Sequence, residues 1–383
     1  MSALRDSHLF GPGPKRILAL DGGGVRGIVS LAYLERLETL LRERTGRRLP
    51  LGAYFDLIGG TSTGALIATG LALGKEVSSL IDTYLSLARH VFRGAKWHRG
   101  LLTPKFRTEH LMEQIRANVG GETLGSERLM TGLAIVAKRI DTGSVWLFHN
   151  NPRGRYFDAA GDADGAVPNR DLPLAQLLRA STAAPTFFAP ENIDVARGVR
   201  GVFVDGGVSP HGNPALLTLM LATLRGYGFN WTMGADQLML VSVGTGERPL
   251  SPARMPSPAA PAATLAVFAL RSVIQDSSSL NQMLLQWMGI SPMPMRIDAE
   301  IGDLAEDQLG PAPLLRYLRY DMLMSRDWMR RETGASLTEE DIAALDRIDD
   351  SANVPRLLEL ARAAAARQVR IEHLPASFDP VPG

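Results

Sequence analysis

The stretch Tyr54-Phe55-Asp56-Leu57-Ile58-Gly59-Gly60-Thr61-Ser62-Thr63-Gly64-Ala65-Leu66-Ile67-Ala68-Thr69-Gly70-Leu71 decides how the chain is read. An apolar run of strand length is followed by a turn with a serine at its apex, then by an apolar run of helical character. The spacing Gly60-x-Ser62-x-Gly64 suits a nucleophile elbow, where the serine adopts a strained backbone conformation and a side chain at either flanking glycine would collide with the turn. With 38 glycines in 383 residues the spacing by itself is weak. Its place between a predicted strand and a predicted helix gives it meaning.

Upstream, the same arrangement occurs once more. Arg16-Ile17-Leu18-Ala19-Leu20 reads as a buried strand, and Ile28, Leu31, Leu34, Leu37 and Leu41 recur at helical spacing through Arg44. Between them lies Asp21-Gly22-Gly23-Gly24-Val25-Arg26-Gly27. Such a turn gathers backbone N–H groups and the positive end of a helix dipole at one point, so something anionic is expected there. Glycines 22, 24 and 27 also fit G-x-G-x-x-G, which invites a dinucleotide-binding reading. That reading asks for a second strand ending in an acid about twenty positions on, whereas here the helix runs into Arg42-Glu43-Arg44-Thr45-Gly46-Arg47-Arg48. Two strand-turn-helix units in succession predict a parallel sheet whose loops share one crevice at the carboxyl ends of the strands. An exposed serine beside preorganised N–H donors is the beginning of an acyl-transfer site.

The remaining chain is consistent with a large α/β core. Net charge is +1, which gives no field favouring a nucleic-acid polymer, and the absence of cysteine removes disulfides, thiol nucleophiles and cysteine-ligated metals. Residues 1–14 read as a polar N-terminal tail without the apolar core of a signal peptide, so a cytoplasmic protein is expected. The uncharged stretches 57–74 and 206–224 are interrupted by glycine, proline, histidine or asparagine and read as buried core, not membrane spans. Residues 15–330 are expected to form the main domain, with a Pro/Ala-rich segment at 248–263, and residues 331–383 a C-terminal helical extension.

Further predicted elements are strands at 129–138, 144–149, 202–205 and 238–243, and helices at 75–92, 174–184, 265–290, 314–331 and 355–368. Ser336-Leu337-Thr338-Glu339 reads as a capping box. Arg89, His90, Arg93, Lys96, His98, Arg99, Lys105 and Arg107 form a basic run that suits phosphate or lipid headgroups, or a solvated loop. Asp158, Asp162 and Asp164 before Gly165 resemble part of a calcium loop but lack its bidentate glutamate, so a polar turn is expected. Met283, Trp287, Met288, Met293 and Met295 on and after the 265–290 helix suit an apolar lid, a lipid-contacting surface or plain packing.

A serine hydroxyl needs a proton acceptor. Of the seven histidines only His211 follows a predicted strand end with an acid, Asp205, so a Ser62–Asp205–His211 triad stays open. With His211 only six positions after Asp205, there is little room for their hydrogen bond.

Taken together, Asp21-Gly22-Gly23-Gly24-Val25-Arg26-Gly27, Gly60-Thr61-Ser62-Thr63-Gly64, Ala180-Ser181-Thr182-Ala183-Ala184-Pro185 and Asp205-Gly206-Gly207 resemble the patatin-like phospholipases, in order and spacing. The resemblance implies a three-layer α/β/α fold with a central, mostly parallel sheet plus C-terminal helices. It implies a lipid acyl hydrolase that cleaves ester-linked fatty acids from membrane glycerophospholipids, using a Ser62–Asp205 dyad without histidine, metal or other cofactor. Gly22, Gly23, Gly24 and Arg26 would build the oxyanion hole, and Gly27, Gly60, Gly64, Gly206 and Gly207 would support the motifs. Such an enzyme works peripherally at the inner face of a membrane. Some bacterial members are toxins or defence effectors switched on by a small nucleotide, and the resemblance admits that role and a homo-oligomer. The competing readings are a dinucleotide-binding oxidoreductase using the 22–27 turn and a catalytically silent lipid-binding protein.

Overall fold

Strands apolar at nearly every position are stable only with both faces covered, and two such runs form the centre of the sheet. In the computed structural model, which describes residues 2–91, 108–158, 165–185, 187–249, 257 and 260–380, β1 (Lys15–Leu20) pairs in parallel with β7 (Leu238–Val243), both buried throughout. On one side β2 (Leu57–Thr61) and then β3 (Gly132–Arg139) continue the parallel order; on the other side β8 (Arg316–Tyr320) does so beside β7. Three antiparallel strands, β4 (Ser144–His149), β5 (Glu191–Ala196) and β6 (Val199–Asp205), complete a sheet of order β5-β6-β3-β2-β1-β7-β8 with β4 paired to β3.

One detail of β3 positions the site. β4 runs along one edge of β3 from Ala134 to Arg139. The other edge is shared end to end. β2 climbs it opposite residues 132–136 and leaves at Thr61, while β6 descends it opposite residues 139–137 and stops at Asp205. The carboxyl ends of two oppositely directed strands therefore meet at consecutive β3 positions, Thr61 facing Val136 and Asp205 facing Ala137.

Alternation along β1 divides the protein into layers. Leu18 and Leu20 face a core shared with α2 (Gly27–Thr45), the short α3 (Leu51–Tyr54), α4 (Thr63–Ala72), α5 (Val77–Val91), α6 (Thr108–Val119) and α7 (Leu174–Ser181). Ile17 and Ala19 face a second core with α8 (Ala215–Thr223) and α9 (Ala262–Met288). The result is the expected α/β/α arrangement. No helix among the described residues is long and apolar enough to cross a membrane.

The structure corrects three expectations. The N-terminal stretch is no tail: α1 (Ala3–Phe10), capped by Ser2, buries Arg5 and Leu9, with Arg5 over the Phe157 ring and the Trp231 Nε1–H donating to the Leu9 carbonyl at 2.9 Å. The expected 314–331 helix is β8 followed by α10 (Arg326–Thr333). Leu314, Leu315 and Leu318 fit a helical stripe, but an Arg-Tyr-Leu-Arg-Tyr segment docked on β7 buries Tyr317, Leu318, Arg319 and Tyr320 on both faces, which a surface helix would not. The cap of α11 (Glu339–Leu345) is a Thr338–Asp341 box, two residues on from the predicted Ser336–Glu339 pair, because Asp341 occupies the third helical position.

Residues 331–383 do not stand apart. α12 (Val354–Gln368) buries Leu357, Leu360 and Ala361 in the same core as α2. Most of the basic run, Arg93 to Arg107, lies outside the described residues, as do the side chains of Arg89 and His90, Asp162 and Asp164, and most of the 248–263 segment. Asp158 pairs with Arg170 at 2.7 Å.

Candidate active site

Between β2 and α4 the chain reverses within one residue. Ser62 has φ 55 and ψ −123, a conformation that side-chain-bearing residues avoid at a cost of about 1–3 kcal/mol. Two glycines permit it. A Cβ on Gly60 would lie 2.4 Å from the Gly64 carbonyl oxygen, and one on Gly64 would lie 2.2 Å from that of Leu20. The strain is held by a relay: the Ser62 N–H donates to Ser181 Oγ at 2.9 Å, and the Ser181 hydroxyl donates to the Val136 carbonyl at 2.6 Å. Because the Cβ would meet the backbone of Leu20 and Asp21, which cannot swing aside as a side chain can, Gly64→Ala is expected to lower stability by about 3 kcal/mol, read as an earlier urea midpoint. An unchanged midpoint would mean that the elbow tolerates a Cβ.

The meeting of β2 and β6 brings Ser62 to Asp205. The Ser62 hydroxyl donates to Asp205 Oδ2 at 2.6 Å, and the Gly207 N–H donates to Oδ1 at 2.7 Å. Both residues are buried, Ser62 8% and Asp205 5% exposed. Burial pushes the Asp205 carboxyl up to about 6, with the hydrogen bonds from Ser62 and Gly207 opposing that rise in part. A carboxylate with that affinity is a better proton acceptor at neutral pH than a solvated aspartate. Gly206 is fixed by space, since its Cβ would lie 2.7 Å from the Val136 carbonyl oxygen.

His211 does not join them. Its carbonyl accepts from Thr61 Oγ1 at 2.6 Å and its N–H donates to Ser209 Oγ, while its Nδ1 has no hydrogen-bond partner and burial lowers its proton affinity. Asp205 spends its contacts on Ser62 and Gly207.

The glycine turn lies against the serine: a Cβ on Gly22 would sit 3.1 Å from Ser62 Cβ. Its N–H groups are not equivalent. That of Gly22 donates to the Gly212 carbonyl at 3.0 Å, that of Gly23 reaches Thr63 Oγ1 at 3.2 Å, and that of Arg26 closes the turn on Gly23. The Gly24 N–H has no partner among the described residues. The Arg26 guanidinium points to Asp346, at 2.6 Å. Thus the four residues expected to hold an oxyanion divide: Gly24 is open, Gly23 is open once Thr63 yields, and Gly22 and Arg26 shape the turn. Gly27 is held by space, with a Cβ there 2.5 Å from Tyr84 Oη.

Sequence reasoning gave no role to several residues that build this site. Arg319 on β8 donates to both oxygens of Asp21 at 3.0 and 2.6 Å, to Ser242 Oγ and to Asp321, anchoring the start of the turn. The two carboxylates hold its guanidinium firmly charged. Thr245, just past β7, donates to the Gly22 carbonyl at 3.2 Å and leaves no room for a Cβ on Gly23, which would lie 2.2 Å from its Oγ1. Only Ser181 carried a signal, its place in the Ala180–Pro185 block.

A family model described as patatin-like phospholipase matches residues 18–219. The chain is 30% identical over 236 residues to a cGAMP-activated phospholipase of Escherichia coli (strain TW11681), covering 60% of this chain and 62% of that protein. It is 31% identical over 215 residues to a cGAMP-activated phospholipase of Vibrio cholerae, covering 53% and 56%. Patatin-07 of Solanum tuberosum is 27% identical over 247 residues, covering 60% of each. The chain thus spans about three fifths of the length of the curated relatives it matches. Human GIVD cytosolic phospholipase A2 superposes with a TM-score of 0.43 at 10% identity, over 94% of this chain and 60% of that one, a likeness too low to carry weight.

Proposed function

The chain belongs to the patatin-like phospholipase family, and from that premise we propose that it is a lipid acyl hydrolase that releases ester-linked fatty acids from membrane glycerophospholipids. The observation that carries the reading is the 2.6 Å hydrogen bond from the strained Ser62 to the buried Asp205. In this reading Asp205 takes the Ser62 proton as Oγ attacks the ester carbonyl. The oxyanion of the tetrahedral adduct is met by the Gly24 N–H and by that of Gly23, each worth about 3 kcal/mol in the transition state. Collapse expels the lysolipid alkoxide, which receives the proton from Asp205 and leaves an acyl-Ser62 ester. Water deprotonated by Asp205 then releases the fatty acid and restores the serine.

A substrate embedded in a bilayer requires the enzyme to visit that surface, and we place it peripherally at the cytoplasmic face. Two relatives named cGAMP-activated phospholipases support a membrane-degrading effector triggered by a small nucleotide. The dinucleotide-binding alternative is disfavoured because the Gly22 N–H is already committed to Gly212 and β2 ends in Thr61, not in an acid.

The test is incubation with phosphatidylethanolamine and phosphatidylglycerol vesicles, with and without cGAMP, and mass spectrometry of the products. Free fatty acid together with lysophospholipid is expected, and absence of both products with cGAMP as well as without it would overturn the proposal. The pH dependence follows from Asp205. Below about 6 its carboxyl holds a proton and cannot accept another. Consequently kcat/KM should fall tenfold per unit below that pH and level off above it. An acid limb confined to pH 4 and below would show that the crevice leaves the Asp205 carboxyl at its ordinary value of 3.8.

A further inference from the structure

The matched family region ends at residue 219, yet part of the grip on the glycine turn comes from far beyond it. The peptide between Gly24 and Val25 is held at both ends. Its carbonyl accepts from Tyr84 Oη, and its N–H donates to the Ile348 carbonyl at 2.9 Å. Gly24 itself has φ 57, and a Cβ there would lie 2.3 Å from the same Ile348 oxygen. One residue on, Arg26 Nη1 donates to Asp346 Oδ1 at 2.6 Å, with side chains only 14% and 27% exposed. Asp346 and Ile348 lie on a short strap between α11 and α12, and α11 is moored in the main core by Ile342 and Leu345.

We infer that this strap is a positioning element of the active site. By fixing the Gly24–Val25 peptide and clamping Arg26, residues 346–348 set the direction of the one turn N–H with no partner among the described residues, that of Gly24. A donor aimed at the developing oxyanion loses most of its effect when its orientation is lost. The inference rests on the acyl-hydrolase reading for its kinetic arm only.

The test uses the full chain as wild type, Asp346→Ala and Asp346→Asn, with p-nitrophenyl butyrate as a soluble ester and hydrogen exchange of the peptide spanning residues 20–27. Asp346→Ala should lower kcat roughly 10- to 100-fold with KM changed less than twofold, and Val25 exchange should quicken while β1 and β7 amides stay protected. Asp346→Asn, which keeps an acceptor for Arg26, should recover most of the rate. Unchanged kcat in Asp346→Ala, or a loss matched by loosening throughout the sheet, overturns the proposal. If wild type leaves the ester intact with cGAMP as well as without it, the functional reading fails by itself. The exchange arm still decides the strap, because unaltered Val25 exchange in Asp346→Ala sinks it.

Discussion

Ser62→Ala is expected to eliminate fatty-acid release from phospholipid vesicles, a fall of at least about 10⁴ in kcat. The size follows from the role assigned to Oγ, which forms the bond to the acyl carbon and which no neighbour can replace. Ser181 is the nearest other hydroxyl in the relay, but it donates to the Val136 carbonyl and accepts the Ser62 N–H, so its oxygen is committed on both sides. Alanine keeps the Cβ and therefore the strain at φ 55. It also deprives Asp205 Oδ2 of its only hydrogen-bond donor among the described residues. The variant should thus be no more stable than wild type at neutral pH, whereas Ser62→Gly, equally inactive, should be relieved of strain. Product analysis by mass spectrometry, with a fluorophosphonate probe to label residue 62 in the wild type, checks the first claim. Fatty-acid release that survives the substitution would end the acyl-serine mechanism.

What the sequence made legible was local. The elbow, the glycine turn and the acid-Gly-Gly strand end are each short, and their geometry is dictated by neighbours within a few residues, so spacing alone locates Gly60, Ser62, Gly64 and Asp205 on strand ends. What it could not give was how those ends meet. Periodicity reports which face of an element is apolar, not which strand it will lie beside. The junction of β2 and β6 on one edge of β3 has no local signature, and the same holds for the pairing of Arg319 with Asp21, 298 positions apart. For β8 the periodicity misled outright. Leucines at helical spacing suggested a helix, and the opportunity to hydrogen-bond to the open edge of β7 decided otherwise. His211 shows the converse: close in sequence to Asp205, it is kept from the carboxylate because Ser62 and Gly207 already occupy it.

Asp205→Asn should abolish turnover and make the protein more stable. The loss is chemical, since an amide cannot take the Ser62 proton at any working pH. The gain is electrostatic. Below the ordinary carboxyl value of 3.8 both folded and unfolded chains carry the proton and Asp205 has no differential effect. Between that value and about 6 the unfolded chain gives up its proton while the folded site retains it, so stability declines as pH rises. Above that window the whole difference, about 3 kcal/mol, stands as a cost of keeping a charged carboxylate in an apolar crevice. Asparagine is neutral throughout and retains an oxygen for the Gly207 N–H. Its melting temperature should exceed that of wild type by a few degrees at pH 7.5, and the difference should vanish by pH 4. His211→Ala, measured beside it, should keep most of the activity, because the His211 ring makes no hydrogen bond to Ser62 or Asp205. Were the histidine variant inactive and the asparagine variant active, the proton would belong to His211. Were Asp205→Asn inactive but no more stable at pH 7.5, the carboxylate would be less perturbed than its burial implies, and the acid limb of the rate profile should move down with it.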